Sequence, residues 1–226
     1  MRGLDHRSES PDWDGYSTGW KRFPWGIHSR RILAAMQAAE IELKFSVTDI
    51  RALRSAADGV GFRLVTERTF ESNTLYDTAD RELRGRRQIL RLRNYGERCT
   101  VTHKRQADSG DGDSRYKTRI ETESEVEDCA ALSEIFSQLG YGPVFRYEKF
   151  RAEWTDSKGQ VVVDETPIGN FCEIEGASRW IDATAKKLGV SAENYITKNY
   201  ATLFLDWKEE TGSSAEEMTF KAVPNS

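Results

Sequence analysis

One short stretch of the chain carries charged residues at a spacing that suits metal and phosphate chemistry. In residues 40–45, charged and apolar side chains alternate strictly. Successive side chains of a β-strand point to opposite faces, so Glu40, Glu42 and Lys44 share one face. Residues two apart lie roughly 7 Å from each other, which lets the two carboxylates hold one hard cation or two adjacent ones. Taken alone, the pattern favours the simpler interpretation of a solvated polar face.

The same alternation recurs in later segments predicted to be strands. Residues 89–93 lead through a turn into 99–104 as a β-hairpin, and 119–123, 144–154 and 171–175 repeat the charged stripe. A solvated face would mix in serine, threonine and amides instead of repeating charges at i, i+2. The acids are Glu40, Glu42, Glu121, Glu123, Asp164, Glu173 and Glu175, and the bases are Lys44, Arg91, Arg93, Lys104, Arg119, Lys149 and Arg151.

If the sheet closes on itself, these charged faces point into one lumen. Dry burial of so many charges would be prohibitive, so the lumen has to be wet and to bind a ligand. Arginine and lysine would clamp an anion with several phosphates, and carboxylates would hold Mg²⁺ or Mn²⁺ that bridges phosphate oxygens. The pattern therefore predicts a site for a small-molecule polyphosphate.

Composition argues against several other classes of function. The 226 residues carry a net charge of −4 and no apolar run long enough to cross a membrane, so a soluble protein without a membrane partner is expected. The acidic balance also disfavours nucleic acid as a partner. Cys99, Cys129 and Cys172 form no Cys-x-x-Cys pair, which predicts reduced thiols and a cytoplasmic location.

The chain divides into three predicted segments. Residues 1–35 show no periodic pattern and are expected to be a flexible, dispensable extension, with Met36 as an alternative translation start. Residues 36–208 combine roughly eight strands with amphipathic helices, which indicates a mainly antiparallel α+β domain. A basic turn at 84–87 is predicted to be solvated. Residues 209–226 are predicted to be a polar, mobile tail.

In combination, the charged motifs resemble the CYTH superfamily of triphosphate tunnel metalloenzymes, which includes class IV adenylyl cyclases and thiamine triphosphatases. The resemblance covers about residues 36–207, and its opening Glu-x-Glu-x-Lys signature stands at 40–44. The later motifs follow in the family's order: Tyr-Asp-Thr at 76–78, Leu-Arg-x-Arg at 90–93, Thr-x-Lys at 102–104, Arg-x-Glu-x-Glu at 119–123, Glu-Lys-x-Arg at 148–151, and Asp164 followed by Gly169, Glu173 and Glu175.

The resemblance implies a fold and a set of ligands. The implied fold is a closed eight-stranded antiparallel β-tunnel with flanking helices. The seven acids would bind one or two Mg²⁺ or Mn²⁺ ions. Lys198 is an additional triphosphate ligand by position, although Asn199 stands where relatives often have serine. The other implied triphosphate ligands are Lys44, Arg91, Arg93, Arg119, Lys149 and Arg151.

Three functions are compatible with such a site. Attack by water would hydrolyse tripolyphosphate, thiamine triphosphate or a related triphosphate, which we favour because no adenine pocket is identifiable. Attack by the ribose 3′-hydroxyl of ATP would instead give cyclic AMP and pyrophosphate, as in the class IV cyclases. A non-catalytic polyphosphate or nucleotide binder is disfavoured, because the carboxylates would repel its ligand. A homodimer remains an open alternative.

Two residues are predicted to activate water for hydrolysis. Tyr76 and Lys104 are expected to project inward from neighbouring strands. Beside Arg91 and Arg93, Lys104 should lose its proton more easily and act as a base. The alternative is that Tyr76 is a packed aromatic residue and Lys104 a phosphate clamp.

Overall fold

The structure is a computed structural model that describes residues 37–107 and 115–224. The predicted N-terminal extension and the alternative start at Met36 lie outside the described residues.

Eight strands of the described chain form one closed antiparallel barrel. Its strand order is β1-β5-β4-β3-β2-β6-β7-β8, so the first and last strands pair and leave no free edge. The predicted closed, eight-stranded α+β architecture is therefore confirmed. The strands are β1 Gln37–Val47, β2 Arg63–Asp77, β3 Ile89–Tyr95, β4 Arg98–Gln106, β5 Lys117–Val126, β6 Gly142–Thr155, β7 Gly159–Thr166 and β8 Gly169–Gly176.

Helices connect and flank these strands, and side-chain caps define where three of them begin. The carboxylates of Asp49 and Asp128 accept the backbone N–H groups of Ala52 and Ala131, each at 2.9 Å. Asn199 caps the last helix in the same way. The helices are α1 Ile50–Gly59, α2 Glu82–Gly85, α3 Cys129–Gln138, α4 Ser178–Lys187 and α5 Tyr200–Thr211, with a 3₁₀ turn at Ala192–Asn194.

The main hydrophobic core lies outside the barrel, between its wall and helices α1 and α4. Leu43, Trp154 and Ile174 point outward from their strands and are almost fully buried against the helices, where Ile181 is also buried. Because side chains alternate along each strand, an apolar outer face leaves the polar residues facing the lumen. Apolar packing on the outer face of the barrel therefore stabilises the fold, and the inner face remains available for charged side chains.

A second apolar cluster corrects the expectation of a mobile C-terminal tail. Met218 is fully buried, and Val223 is 5% exposed in the same cluster as Phe204 of α5. The backbone of Met218 also pairs with β6, because its N–H donates to the carbonyl of Arg146 at 3.0 Å. The few apolar residues of an otherwise polar tail therefore fix it to the barrel.

The expectation of three reduced thiols is also corrected. Cys99 and Cys129 form a disulfide that joins the start of β4 to the first residue of α3. The sheet register explains the contact: Cys99 pairs with Val126 at the end of β5, and α3 begins only three residues later. A pairing between residues 30 positions apart depends on this register, which spacing alone does not reveal. Cys172 is a buried free thiol.

Among the helices that the structure describes, none is both long and apolar enough to cross a membrane.

A strand glycine at the contact between the barrel and α4 provides a test of this packing. A Cβ on Gly159 would lie 2.6 Å from the carbonyl oxygen of Glu175 and would also meet the Trp180 ring. Because Trp180 is held by a 2.9 Å hydrogen bond to Asp156, we expect Gly159→Ala to lower the free energy of unfolding by about 1–3 kcal/mol. Gly142→Ala is the matched control, since nothing lies within 4 Å of its new Cβ. Equal denaturation midpoints for the two variants would contradict this packing.

Candidate functional site

A cavity of about 810 Å³ runs through the barrel, and charged side chains line it. Every strand contributes at least one residue to this surface, and β1, β3, β5 and β8 contribute alternate residues, as the sequence pattern predicts. A second cavity of about 380 Å³ shares Glu40, Gln160 and Glu175 with it. The predicted site residues that line the larger cavity are Glu40, Glu42, Lys44, Arg91, Arg93, Lys104, Arg119, Glu121, Glu123, Lys149, Arg151, Glu173 and Glu175.

Three of the predicted metal ligands come together. One carboxylate oxygen from each of Glu40, Glu42 and Glu175 lies within 4.8 Å of the other two. Burial, together with repulsion from Glu173, Glu40 and Glu42, raises the pKa of Glu175 to about 8. The charged form of Glu175 is therefore disfavoured where it stands, and a bound divalent cation would relieve that condition. Oxygen ligands in this number suit a hard cation.

The other four predicted acids are held in ion pairs. Glu121 lies 2.9 Å from the ammonium of Lys104, and Glu123 lies 2.7 Å from the guanidinium of Arg93. Glu173 lies 2.6 Å from Arg151. These carboxylates neutralise and orient the cationic wall of the cavity.

Asp164 accepts hydrogen bonds from several side chains of that wall and is buried just behind the surface of the cavity. Its side chain is fully buried, and both oxygens accept hydrogen bonds of 2.7 Å from Arg151. Lys149 and the hydroxyl of Tyr200 donate to the same carboxylate at 2.9 and 2.6 Å. Because both of its oxygens accept hydrogen bonds, the carboxylate of Asp164 acts as the counter-ion that fixes the side chains of Arg151 and Lys149.

Glu71 is a second buried counter-ion, and it is missing from the sequence prediction. It lies 3.3 Å from Lys149, 3.8 Å from Arg151 and 3.9 Å from Arg93. Burial alone would raise its pKa, but these three cations outweigh burial and hold the pKa of Glu71 well below its ordinary range. The alternation of Glu71, Asn73 and Leu75 along β2 was the signal that could have identified it.

Lys117 is a second lining residue that the prediction omitted. Its ammonium donates to Glu42, the residue opposite it across the pair of strands β1 and β5. It stands two residues before Arg119, so extending the charged stripe of β5 by one step would have included it. The structure thus places a cation directly beside the cluster of three carboxylates.

The predicted inward orientation of Tyr76 is wrong. Its neighbours Leu75 and Asp77 line the cavity, so Tyr76 between them points outward under α3. There its hydroxyl shares a 2.8 Å hydrogen bond with Ser133, and its ring packs edge-on against Phe136. The packed-aromatic alternative therefore describes Tyr76.

The predicted ease of deprotonation of Lys104 is also wrong. Its ammonium lies 2.7 Å from Glu40 and 2.9 Å from Glu121. Burial and Arg91 oppose the charged form, but the two carboxylates outweigh them and raise the pKa of Lys104 above its ordinary value. Lys104 is a cation at neutral pH and is suited to clamp an anion.

Lys198 does not direct its side chain into the cavity. Its ammonium forms a 2.7 Å ion pair with Asp206 on the outer surface, and the side chain is 54% exposed. Asn199 caps α5 and turns the chain at this point. What Lys198 supplies to the interior is its carbonyl oxygen, which lies 3.4 Å from the ammonium of Lys44.

One sector of the cavity is apolar, which the charge pattern did not predict. Leu75, Ile89, Val144 and Phe145 line it from the barrel, and Leu205 lines it from α5. Leu205 is 54% exposed, unusual for a large apolar side chain. This sector offers a contact surface for the organic part of a ligand.

Comparison with known proteins agrees with this fold. The family model described as the CYTH domain matches residues 38–200. A protein of Methanocaldococcus jannaschii named "Putative adenylate cyclase MJ0240" is 26% identical over 175 residues, which cover 73% of this chain and 97% of that protein.

Solved structures share the fold at low sequence identity. A Vibrio parahaemolyticus protein has a TM-score of 0.64 at 17% identity, over 75% of this chain and 99% of that one. PH1819 from Pyrococcus horikoshii has a TM-score of 0.62 at 22% identity, over 74% and 98%. HpAC1 from Hippeastrum, described as having a dominant triphosphatase activity, has a TM-score of 0.54 at 19% identity, over 74% and 95%. With a family match across most of its length and this barrel of inward-facing charges, the chain belongs to the CYTH domain family.

Proposed function

We propose that this protein is a divalent-metal-dependent enzyme that hydrolyses triphosphates. The observation that carries the proposal is the juxtaposition, in one cavity, of the carboxylate cluster Glu40, Glu42 and Glu175 with a wall of lysine and arginine side chains. A metal–triphosphate complex needs both halves, since it presents a cation to carboxylates and phosphate oxygens to bases.

Mg²⁺ or Mn²⁺ is the cation that the three carboxylates would hold. When bound, it would neutralise phosphate oxygens and polarise them as a Lewis acid, which makes phosphorus more electrophilic. The raised pKa of Glu175 is in keeping with this assignment, because burial and the neighbouring carboxylates disfavour its charged form and a bound cation would favour it.

The cationic wall would bind and align the phosphate chain. Lys44, Arg91, Lys104, Arg119 and Lys149 all line the cavity. The charged heads of Lys44, Arg91, Lys104 and Lys149 are held by counter-ions that restrict their motion. Fixed charges stabilise the charge that develops on the phosphate oxygens while water attacks in line and the P–O bond to the leaving phosphate breaks. Catalysis would then come mainly from positioning and electrostatics.

A non-catalytic phosphate binder is a poorer explanation. Such a protein gains nothing from three clustered carboxylates inside its binding cavity, because they repel an anion unless a metal bridges them.

Adenylate cyclase activity is the second candidate, and two observations favour it. The relative from M. jannaschii carries adenylate cyclase in its name. The apolar sector between Phe145 and Leu205 could hold a base while the ribose hydroxyl attacks the α-phosphorus. Hydrolysis remains our first choice, because the many lysine and arginine side chains of the cavity suit a phosphate chain whatever organic group it carries.

Product analysis separates the two reactions. The protein is incubated with tripolyphosphate, thiamine triphosphate or ATP, in Mg²⁺ or Mn²⁺ and in excess EDTA. We expect phosphate release from at least one triphosphate to exceed cyclic AMP formation, and all turnover to cease in EDTA, because the carboxylates would then repel the substrate. Cyclic AMP with stoichiometric pyrophosphate as the dominant product would favour the cyclase.

Removing one negative charge from the cluster tests the metal site directly. We expect Glu175→Gln to weaken Mn²⁺ binding at least about tenfold, measured by calorimetry without substrate, because an amide is a weaker ligand than a carboxylate. Glu125→Gln is the control, since Glu125 pairs with Arg98 on the exposed surface. Identical Mn²⁺ affinities for both variants would place the metal elsewhere.

Lys104 allows a test of clamp against base. A clamp needs a positive charge, so Lys104→Arg should keep far more activity than Lys104→Met, for which we expect a loss of about 10²-fold in kcat/KM. If Lys104 were instead a general base, both variants should lose activity to the same extent. Equal loss, with unchanged melting temperatures, would return the catalytic role to Lys104.

A further inference from the structure

Three arginines surround one side of the cavity at the end of β2, outside the set of triphosphate ligands. Arg81, Arg84 and Arg87 belong to the α2 turn between β2 and β3, and all three line the cavity. Their side chains are exposed, and Arg87 also donates a 3.5 Å hydrogen bond to the amide oxygen of Gln106. Arg151 and Lys149, in contrast, are buried in ion pairs with Asp164. The basic turn at 84–87, predicted to be solvated, therefore belongs to the rim of the cavity.

This turn is built to present those side chains. The carboxylate of Asp77, which is 4% exposed, accepts the backbone N–H groups of Thr78, Leu83 and Arg84 at 2.8–3.0 Å. Arg81 and Arg87 have φ angles of +59° and +56°, a left-handed conformation that is unfavourable for residues other than glycine. The hydrogen bonds to Asp77 therefore fix the backbone of the turn from which the three arginines project.

Arg86 belongs to the same turn and provides a comparison, because its side chain pairs with a neighbouring acid. It forms an ion pair with Glu82 at 3.1 Å, is 64% exposed and does not line the cavity. Asp77 is the acid that this turn contributes to the cavity lining, and its oxygens are occupied by the turn's own backbone. The rim therefore carries a net positive charge that points toward the cavity.

We propose that Arg81, Arg84 and Arg87 form a subsite for phosphoryl groups beyond the third in a phosphate chain. The inference rests on the proposed function, because the triphosphate clamp has to hold the first three groups. Arginine suits this ligand because its planar fork donates two parallel hydrogen bonds to phosphate oxygens. A cavity of about 810 Å³ has room for such an extended ligand. Its source is either an inorganic chain of four or more phosphates or a nucleoside tetraphosphate.

The competing explanation is long-range attraction. Three exposed arginines would raise the association rate of any polyanion without contacting it. That effect would fall with salt and would change little between three and four phosphates, whose total charges are similar. A contact subsite instead raises the affinity for a ligand that has a fourth phosphate and has no comparable effect on a ligand with three. Chain length is therefore the variable to change.

The experiment compares the affinities of tripolyphosphate, tetrapolyphosphate and adenosine 5′-tetraphosphate. Affinity is read from ligand-dependent shifts of melting temperature in Mn²⁺, with ligand in large excess so that hydrolysis during the scan does not deplete it. The variants are Arg84→Gln/Arg87→Gln, its charge-preserving counterpart Arg84→Lys/Arg87→Lys, and the control Arg86→Gln.

We expect the native protein to bind tetrapolyphosphate about tenfold more tightly than tripolyphosphate, a ratio that one or two charge-assisted contacts provide. The double glutamine variant should reduce this ratio to about one, the double lysine variant should keep part of it, and Arg86→Gln should leave it intact. An equal gain with adenosine 5′-tetraphosphate would show that the chain is recognised whatever its source, and a gain with one ligand alone would identify that source.

A ratio of about one in the native protein, or an equal loss of affinity for all three ligands in the double glutamine variant, would overturn the subsite. Failure of the proposed function has a different signature: the protein would release no phosphate from any triphosphate, whatever the binding ratio.

Discussion

The constraint on which the rest of this structure depends is the burial of charge inside a closed barrel. Arg151 and Asp164 face each other in the barrel wall, both almost fully buried and joined by two hydrogen bonds of 2.7 Å. Removing one partner of such a pair costs about 3–5 kcal/mol, because the other charge remains buried and uncompensated. Lys149, Glu71 and Glu173 extend this pair into a network, so each cation in the deep part of the cavity has a fixed orientation.

That network explains why one part of the cavity differs from the rest. Where β1 meets β8, the cluster of Glu40, Glu42 and Glu175 has fewer cations than carboxylates nearby, and the pKa of Glu175 rises to about 8. Ion pairs thus neutralise the charges along most of the barrel wall, and negative charge is in excess at the cluster of Glu40, Glu42 and Glu175. The apolar packing of α1, α4 and α5 against the outside supplies the stability that lets the interior remain polar.

Much of the fold and of the cavity lining could be predicted from the alternation of charged and apolar residues, because strand geometry assigns each residue to a face. Which charges neutralise one another could not, because pairing depends on which strands become neighbours when the barrel closes. Lys117 reaches Glu42 only because β5 lies beside β1. The strand alternation places Tyr76 on the outer face, because Leu75 and Asp77 on either side of it line the cavity. Asn199 caps α5 directly after Lys198, and the side chain of Lys198 lies outside the cavity.

The central claim is that a divalent cation held by three carboxylates and a cationic wall together bind a triphosphate. Its most direct test is anomalous diffraction from crystals soaked with Mn²⁺ and tripolyphosphate. We expect a manganese peak within coordination distance of Glu40, Glu42 and Glu175, with phosphate density extending from it toward Arg91, Lys104 and Lys149. Manganese at any other position in the cavity, or phosphate bound without it, would contradict the account.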